Sequence, residues 1–380
     1  MNKVICFFKK EAVLCVALLL ALLSACVVLP DREYAGYIDL RTLAILFCLM
    51  CVMAGLQKTG VFSRIARGLL GRVKGLCGLV LVLMLLCFFS SMLITNDVAL
   101  ITFVPFTFTV LEMLGREQRR RLVLPLAAMQ TIAANLGSML TPMGNPQNLY
   151  LYGRAGISMA QFLLLMLPYA LLSLALLTVW GMVLGRRHRG EGIVEIHETG
   201  GKESTPPVLW AYLALFVLCL LVVAHVLPWE GVLGIVLAAV LLTDRTILKK
   251  VDYALLLTFA GFFIFIGNMG RIPFFRDFLQ EAVRGREVFA VIAASQAISN
   301  VPAALLLSGF TDHYERLIVG VNLGGLGTLI ASMASLISYK YVAKEESHRK
   351  GAYMAVFTVS NICFLAALVI FHVVWANLCP

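Results

Sequence analysis

The chain has 380 residues, of which 61% are hydrophobic and 14% are charged, with a formal net charge of +10. Soluble domains have roughly 45–50% apolar and about 25% charged residues, so the composition excludes a cytosolic enzyme, a secreted disulfide scaffold and a disordered tail protein. The mean hydropathy is +0.91, and apolar runs recur along the whole chain. These features predict an all-α polytopic membrane protein.

The basic residues are concentrated in a few short connections between apolar runs. By the positive-inside rule these connections are cytoplasmic, which places the N-terminus in the cytoplasm and the C-terminus outside, in a multi-pass protein of the cell membrane. The basic charge is therefore a topology signal, and we expect no nucleic-acid partner. The clusters lie at 9–10, 58–74, 116–121, 186–189, 249–250 and 340–350.

The N-terminal segment allows two interpretations. Two lysines, an apolar stretch and Leu23-Ser24-Ala25-Cys26 are typical of a cleaved lipoprotein signal. A retained first transmembrane helix fits equally well, and we favour it because many spans follow.

Nine apolar segments are predicted transmembrane helices by length and by the charge alternation. A polar, glycine-rich linker at 186–206 separates a first half, 1–185, from a second half, 207–380. Prolines and a glycine interrupt 122–152, so that segment is predicted to be a broken helix, and 316–340 is its counterpart. The nine segments are 13–29, 39–56, 122–152, 159–184, 207–226, 231–243, 252–270, 316–340 and 351–375.

Two further apolar stretches, 75–111 and 286–310, are predicted re-entrant hairpins. The first has basic clusters on both flanks, and its middle, Ser90 to Asp97, is too polar for contact with lipid. The second has the same form around Ser299–Pro302 and should enter from the opposite face. Residues 61–70 alternate apolar and basic side chains and predict an amphipathic helix at the cytoplasmic interface.

The two halves resemble each other in sequence. Residues 39–62 pair with 252–274 across one gap, and 135–152 aligns with 322–339 without gaps. Asn, Leu and Gly open both members of the second pair, and Thr and Tyr recur in register. Because the charge pattern gives the halves opposite orientations, the sequence predicts an inverted repeat, the architecture of many secondary transporters.

The predicted breaks suit both an anion and a cation. Restarting half-helices, capped by Asn or Thr, direct positive dipole ends at a cavity, while freed carbonyls and side-chain oxygens suit a hard monovalent ion. Asp97 is the acidic residue deepest in an apolar segment. We interpret it as a cation ligand or proton carrier, the alternative being a structural helix cap.

Four segments carry a resemblance to a known family: TNDVALITFVPF at 95–106, TPMGNPQNL at 141–149, SNVPAALL at 299–306 and NLGGLGT at 322–328. They resemble the ion transporter superfamily of citrate transporter-like permeases. That group includes the divalent anion:sodium symporters and the arsenite and sodium/proton antiporter relatives. The resemblance implies an elevator mechanism, two cation sites and a substrate between the hairpin tips, and it suggests a homodimer.

The candidate residues follow from these arguments together. For the cation sites they are Thr95, Asn96, Asp97, Thr141, Gly144, Asn145, Ser299, Asn300, Gly325, Gly327 and Thr328. For the substrate they are Thr95, Asn96, Asn145, Pro146, Ser299, Asn300, Val301, Thr328 and Ser332.

The expected function is transport of an organic carboxylate or inorganic oxyanion coupled to Na⁺ or H⁺, with no other cofactor or metal. The symporter tips read Ser-Asn-Thr, whereas these read Thr-Asn-Asp and Ser-Asn-Val. This departure keeps arsenite or antimonite efflux and Na⁺/H⁺ antiport open as alternatives. An intramembrane enzyme is disfavoured, since no zinc, nucleophile-elbow or nucleotide-loop motif is found in the sequence.

Overall fold

The computed structural model describes residues 11–73, 75–186 and 206–378, and the regular elements in these ranges are all helical. Most of the predicted linker at 186–206, and Lys9 and Lys10, lie outside the described residues. The α-helices are Ala12–Val27 (α1), Tyr34–Tyr37 (α2), Leu40–Lys58 (α3), Val61–Leu70 (α4), Leu76–Ile94 (α5), Asn96–Glu112 (α6), Arg116–Ser138 (α7), Pro146–Ala155 (α8), Met159–Arg186 (α9), Pro206–Val223 (α10), Trp229–Thr243 (α11), Tyr253–Gly270 (α12), Pro273–Val283 (α13), Glu287–Ile298 (α14), Asn300–Ser308 (α15), Tyr314–Gly324 (α16), Met333–Glu345 (α17) and Lys350–Leu378 (α18). Short 3-10 turns occur at Pro142–Gly144, Arg245–Lys250 and Ser347–Arg349.

Five helical stretches of the described chain are long and apolar enough to cross a membrane: Leu40–Lys58, Leu76–Ile94, Met159–Arg186, Tyr253–Gly270 and Ser347–Leu378. The chain is therefore an all-α, multi-pass membrane protein, as its composition predicts. Leu76–Ile94 is the first arm of a predicted hairpin, and its length alone does not separate a re-entrant arm from a span. The count of nine spans stays a prediction.

The segment 122–152 is divided in the structure, with α7 ending at Ser138 and α8 beginning at Pro146. The side chain of Asn145 caps α8 by accepting a hydrogen bond from the Asn148 backbone N–H at 3.1 Å. Pro146 occupies the first helical position. The backbone N–H at this position has no partner within the helix, so a proline can stand here without the loss of a hydrogen bond. The local sequence thus both ends one helix and starts the next.

The segment 316–340 is divided in a similar way between α16 and α17. The Ser332 hydroxyl caps α17 by accepting from the Ala334 backbone N–H at 3.2 Å. Gly327, in the interval, has φ +106°, a conformation that costs a glycine little because it has no Cβ.

A strained backbone separates α5 from α6 and α14 from α15. Thr95 has φ 68° and ψ 151°, and Ser299 has φ 73° and ψ 155°. This region of backbone conformation is essentially confined to glycine, and each such residue costs of order 1–3 kcal/mol. Two hydroxyl-bearing residues therefore hold the same unfavourable conformation at the two predicted hairpin tips.

Glycines let each predicted hairpin approach the broken helix of its own half. A Cβ on Gly137 of α7 would lie 2.0 Å from the Phe88 carbonyl oxygen of α5. In the second half, a Cβ on Gly320 of α16 would lie 2.3 Å from Val291 Cγ1 of α14. Both distances are far below van der Waals contact, so a side chain at either position would force the helices apart.

The halves also pack across each other. From the second half, α17 packs against α6 and α7, while α8 of the first half packs against α15 and α16. The segments that follow the two breaks are thereby brought to the middle of the molecule.

We expect Gly137→Ala to destabilise the protein by about 1–3 kcal/mol through overpacking between α5 and α7. The measurement is the thermal midpoint of the detergent-purified protein. Gly68→Ala is the matched control, because Gly68 is also helical and a Cβ there meets nothing within 4 Å. Equal midpoints for the two variants would contradict the close approach.

Backbone strain at Thr95 gives a second prediction. Thr95→Gly should be more stable than Thr95→Ala by about 1 kcal/mol, because both remove the side chain and only glycine relieves the strained φ. At Thr102, inside α6, the order should be reversed, since glycine is the poorer helix former. Thermal midpoints of the four variants test this, and the same order at both positions would refute it.

Candidate functional site

The first tip is tied to the broken helix of its own half. The Asn96 amide Nδ2 donates to Asn135 Oδ1 of α7 at 3.1 Å, and both residues are buried. The Thr141 hydroxyl, just after α7, donates to the Met92 carbonyl oxygen. These bonds fix the tip against the interval between α7 and α8.

The second tip is held by corresponding contacts. The Asn300 backbone N–H donates to the Ala331 carbonyl oxygen at 2.9 Å, and the Thr328 hydroxyl donates to the Gln296 carbonyl oxygen at 3.1 Å. Thr328 follows α16 as Thr141 follows α7. Gln296 stands three residues before its tip, as Met92 does.

The Gln296 side chain makes further hydrogen bonds at the second break. Its side-chain oxygen accepts from the Thr328 backbone N–H at 2.9 Å, and its Nε2 donates to the carbonyl oxygens of Gly324 and Leu326 at 3.1 and 2.9 Å. Sequence reasoning did not single out Gln296. One glutamine thus satisfies three backbone groups that the helix break leaves without helical partners.

Buried amide side chains join the two halves. Ser332 Oγ, from the second half, donates to Asn135 Oδ1 at 3.0 Å. Asn145 Nδ2, from the first half, lies 3.3 Å from Asn322 Oδ1, and Asn322 Nδ2 donates to Asn148 Oδ1 at 2.7 Å. All five residues are buried. The Ser138 hydroxyl accepts from Asn145 Nδ2 and donates to the Asn135 carbonyl oxygen, so the two breaks share one uncharged hydrogen-bonded network.

Asn135, Asn148 and Asn322 were not among the candidate residues. Asn135 and Asn322 do open the two aligned segments, and that repeated Asn-Leu-Gly was the signal available for them. Through Asn135 the first tip is connected to Ser332, whose neighbour Ala331 accepts the backbone bond of Asn300. The two predicted tips therefore meet the same short stretch of chain.

A cavity of about 280 Å³ lies beside the first tip. Its wall is mainly apolar and comes from α3, α6, α8 and the start of α12. Four candidate residues line it: Thr95, Asp97, Asn145 and Pro146. Three polar residues not among the candidates, Gln57, Lys250 and Asp252, also line it, together with Leu46, Leu49, Met50, Met53, Ala54, Val98, Ile101, Met143, Leu149 and Leu255.

Asp97 lines this cavity with one carboxylate oxygen unsatisfied. Its Oδ1 is buried and has no hydrogen-bond partner, while its backbone N–H donates to Asn96 Oδ1 at 2.9 Å. A buried carboxylate oxygen without a donor is costly. The arrangement provides a position at which a proton or a monovalent cation would satisfy the carboxylate.

Two charged residues in the cavity wall, Lys250 and Asp252, are exposed. Nearby, Lys58 at the end of α3 forms an ion pair with Asp244. The hydrogen bond from Lys58 holds the pKa of the Asp244 carboxyl down to about 2, so this pair stays charged at neutral pH.

The other candidate residues do not line the cavity. Those of the second half, Ser299, Asn300, Val301, Gly325, Gly327, Thr328 and Ser332, lie around the second tip instead. Gly144 has a structural reason to be glycine, since a Cβ there would lie 2.0 Å from the Ser138 carbonyl oxygen. In the described part of the chain no three His, Cys, Asp or Glu side chains cluster as a metal site would need.

Comparison with known proteins gives a consistent result. The citrate transporter family matches residues 5–312. The inner membrane protein YbiR of Escherichia coli K12 is 31% identical over 325 residues, which is 84% of each chain. An uncharacterised transporter of Methanocaldococcus jannaschii is 31% identical over 358 residues, 93% of this chain and 94% of that one.

A shorter match concerns the rice silicon efflux transporter LSI3, which is 35% identical over 142 residues, 37% of this chain and 28% of that one. The family match and the two longer similarities extend over most of the chain, and the family match includes the first tip and its cavity. This multi-pass helical chain is a membrane transporter that belongs to the citrate transporter family.

Proposed function

We propose that the chain is a secondary active transporter that carries a small anion, an organic carboxylate or an inorganic oxyanion, coupled to Na⁺ or H⁺. The observation that carries this proposal is the pair of strained, hydroxyl-bearing tips that share one buried amide network beside a cavity. A purely structural bundle has no need of irregular backbone at such a place, because continuous helices satisfy their own backbone groups.

We further propose that the halves 1–185 and 207–380 are an inverted repeat with re-entrant hairpins. One pair of backbone conformations and two pairs of contacts support it. The tips share their φ and ψ values; Thr141 and Thr328 bond the carbonyl three residues before the respective tip; and Asn145 and Ser332, aligned in sequence, each bond the aligned asparagine of the other half.

The repeat supports an elevator mechanism. In this proposal the hairpins and broken helices move as one unit, because the amide network binds them together, and α3 belongs to the stationary scaffold. The proposed orientation has a cytoplasmic N-terminus and an outside C-terminus in the cell membrane, and the scaffold would pair in a homodimer.

Coupling follows from the charge of the cavity wall. The wall contains two carboxylates, Asp97 and Asp252, and one ammonium group, Lys250. The carboxylate of Asp97, next to the first tip, would therefore repel an anion that enters the cavity. A proton or a cation bound at Asp97 removes that repulsion. Co-binding of the coupling ion therefore makes anion binding favourable, which is the thermodynamic requirement for symport.

A second candidate is efflux of a weak oxyacid such as arsenite or antimonite, or Na⁺/H⁺ antiport. Two observations favour it: the unpartnered Asp97 oxygen in the cavity and the partial similarity to a silicon efflux transporter.

A flux assay in liposomes with imposed Na⁺ and pH gradients separates the candidates. Na⁺- or H⁺-driven uptake of labelled succinate or citrate supports the first, and proton release on Na⁺ addition supports the second.

We expect Asn96→Ala and Asn300→Ala each to reduce flux about tenfold or more. Asn96→Ala removes the bond to Asn135 and leaves the Asp97 backbone N–H without its side-chain acceptor, which costs about 1–3 kcal/mol. Asn300→Ala keeps the backbone bond to Ala331 and removes the buried amide that we propose as a ligand at the second tip. Flux in liposomes is compared at equal amounts of inserted protein. Asn377→Ala, at an exposed position near the end of α18, is the matched control and should transport normally. Wild-type flux in both tip variants would remove them from the site.

Asp97→Asn keeps the shape of the side chain but cannot release a proton or balance a cation. We expect its flux to lose most of its dependence on the pH or Na⁺ gradient while the half-saturating anion concentration changes less. The exposed Asp312→Asn should keep the wild-type dependence. A pH and Na⁺ profile of Asp97→Asn identical to wild type would exclude the coupling role.

A further inference from the structure

A second cavity, of about 140 Å³, lies at the opposite end of α3 from Lys58. Its wall includes Arg41 and Thr42 from the first turn of α3, Tyr152 and Gly153 from α8, and His225 from the connection between α10 and α11. None of these residues belongs to the cavity beside Asp97. The second cavity is therefore a separate feature of the fold, with a cationic side chain in its wall.

The two cavities follow one another along the groove between α3 and α8. The larger one contacts α3 between 46 and 57 and α8 between 146 and 149, while the smaller one contacts α3 between 41 and 45 and α8 between 149 and 153. Leu149 lines both and is only 3% exposed. It is thus an apolar partition between them.

Arg41 is available for a ligand. The nearest carboxylate in the wall, Asp39, is engaged by Thr42, whose backbone N–H and hydroxyl donate to its two oxygens at 2.9 and 2.6 Å. Among the described residues Arg41, which is partly buried, has no hydrogen-bonded or ion-paired partner. A partly buried guanidinium without a counter-ion favours binding of a carboxylate or oxyanion.

The wall of the cavity also contains a pair of stacked rings. The His225 ring stacks on the Tyr152 ring, with centroids 5.3 Å apart and planes inclined by 9°. His225 also has φ 63°, a conformation that a histidine keeps only when its surroundings hold it there. The stack therefore fixes the shape of the wall that Arg41 adjoins.

We propose that this second cavity binds a small carboxylate or oxyanion on the face of the protein opposite the Asp97 cavity, with Arg41 as the charged ligand. Leu149 separates the two cavities in the state described. The site deepens the proposed function, and only its role as the outer point of entry or release depends on that function. Binding of the anion itself does not.

Gly153→Cys provides a reporter inside the cavity. A Cβ at this position meets only Thr42 Oγ1, at 4.0 Å, so a side chain can begin here without displacing a neighbour. A second reporter, Ala54→Cys, stands in the wall of the Asp97 cavity. Anionic and cationic methanethiosulfonate reagents are applied to each face of oriented membrane vesicles, with the wild-type protein as the background for its own cysteines.

We expect the two reporters to be labelled from opposite faces. At Gly153→Cys the ratio of anionic to cationic reagent rates should fall about fivefold or more when Arg41→Gln is added, because the positive charge that attracts the anion is lost. Arg32→Gln, an exposed arginine on the neighbouring connection, removes the same charge outside the cavity and should leave the ratio unchanged. Citrate or inorganic phosphate, at constant ionic strength, should slow the labelling only when Arg41 is present.

Labelling of both reporters from one face would overturn the arrangement of the cavities. An unchanged rate ratio in Arg41→Gln, or no protection by either anion, would overturn the anion site. None of these readouts requires transport. A failed flux assay with intact protection therefore refutes the transport proposal alone, while intact flux without protection refutes the second site alone.

Discussion

Every backbone group freed at a helix break inside a membrane needs a partner within the protein, because hydrocarbon offers none. The described chain meets this requirement with amide side chains rather than charges. Gln296 satisfies three backbone groups at one break, and Asn145 caps the helix that restarts at the other. The positions of the breaks therefore determine where these asparagine and glutamine side chains are needed.

The same requirement explains why the breaks come together. Asn135 accepts from Asn96 of its own half and from Ser332 of the other, so side chains of both halves complete the hydrogen bonding of one buried amide. A neutral network of this kind holds polar groups in an apolar interior without the desolvation cost of ions. It also leaves the carboxylate of Asp97 as a distinct charge beside the cavity, available for a coupling ion in the proposed mechanism.

The two cavities in the groove between α3 and α8 differ in the charge of the side chains that line them. The larger one combines a mainly apolar wall with Asp97, Asp252 and Lys250, whereas the smaller one presents Arg41 beside a histidine and a tyrosine. Leu149 lies between them. In the proposed mechanism, a solute that moved along this groove would pass from one electrostatic environment to another, with the apolar side chain of Leu149 between them.

The sequence by itself determined the class of the protein and the places where its helices stop. The composition predicted a membrane protein. Pro142, Gly144 and Pro146 predicted an interrupted helix, because proline and glycine disfavour a helix through the local properties of their own backbone. The family also followed from short motifs at the tips and at the helix breaks. Length and hydropathy did not determine how many helices cross the membrane, because Leu76–Ile94, the first arm of a predicted re-entrant hairpin, is as long as a span.

Tertiary structure alone decided which residues meet. Asn322 and Asn135 were visible as repeated letters, but their bonds to Asn145 and Ser332 join residues more than 170 positions apart. Likewise Lys250 and Asp252 enter the wall of the Asp97 cavity, and Arg41 faces a second one. Such contacts depend on how whole helices pack, and no periodicity or motif within one segment encodes the distance to another.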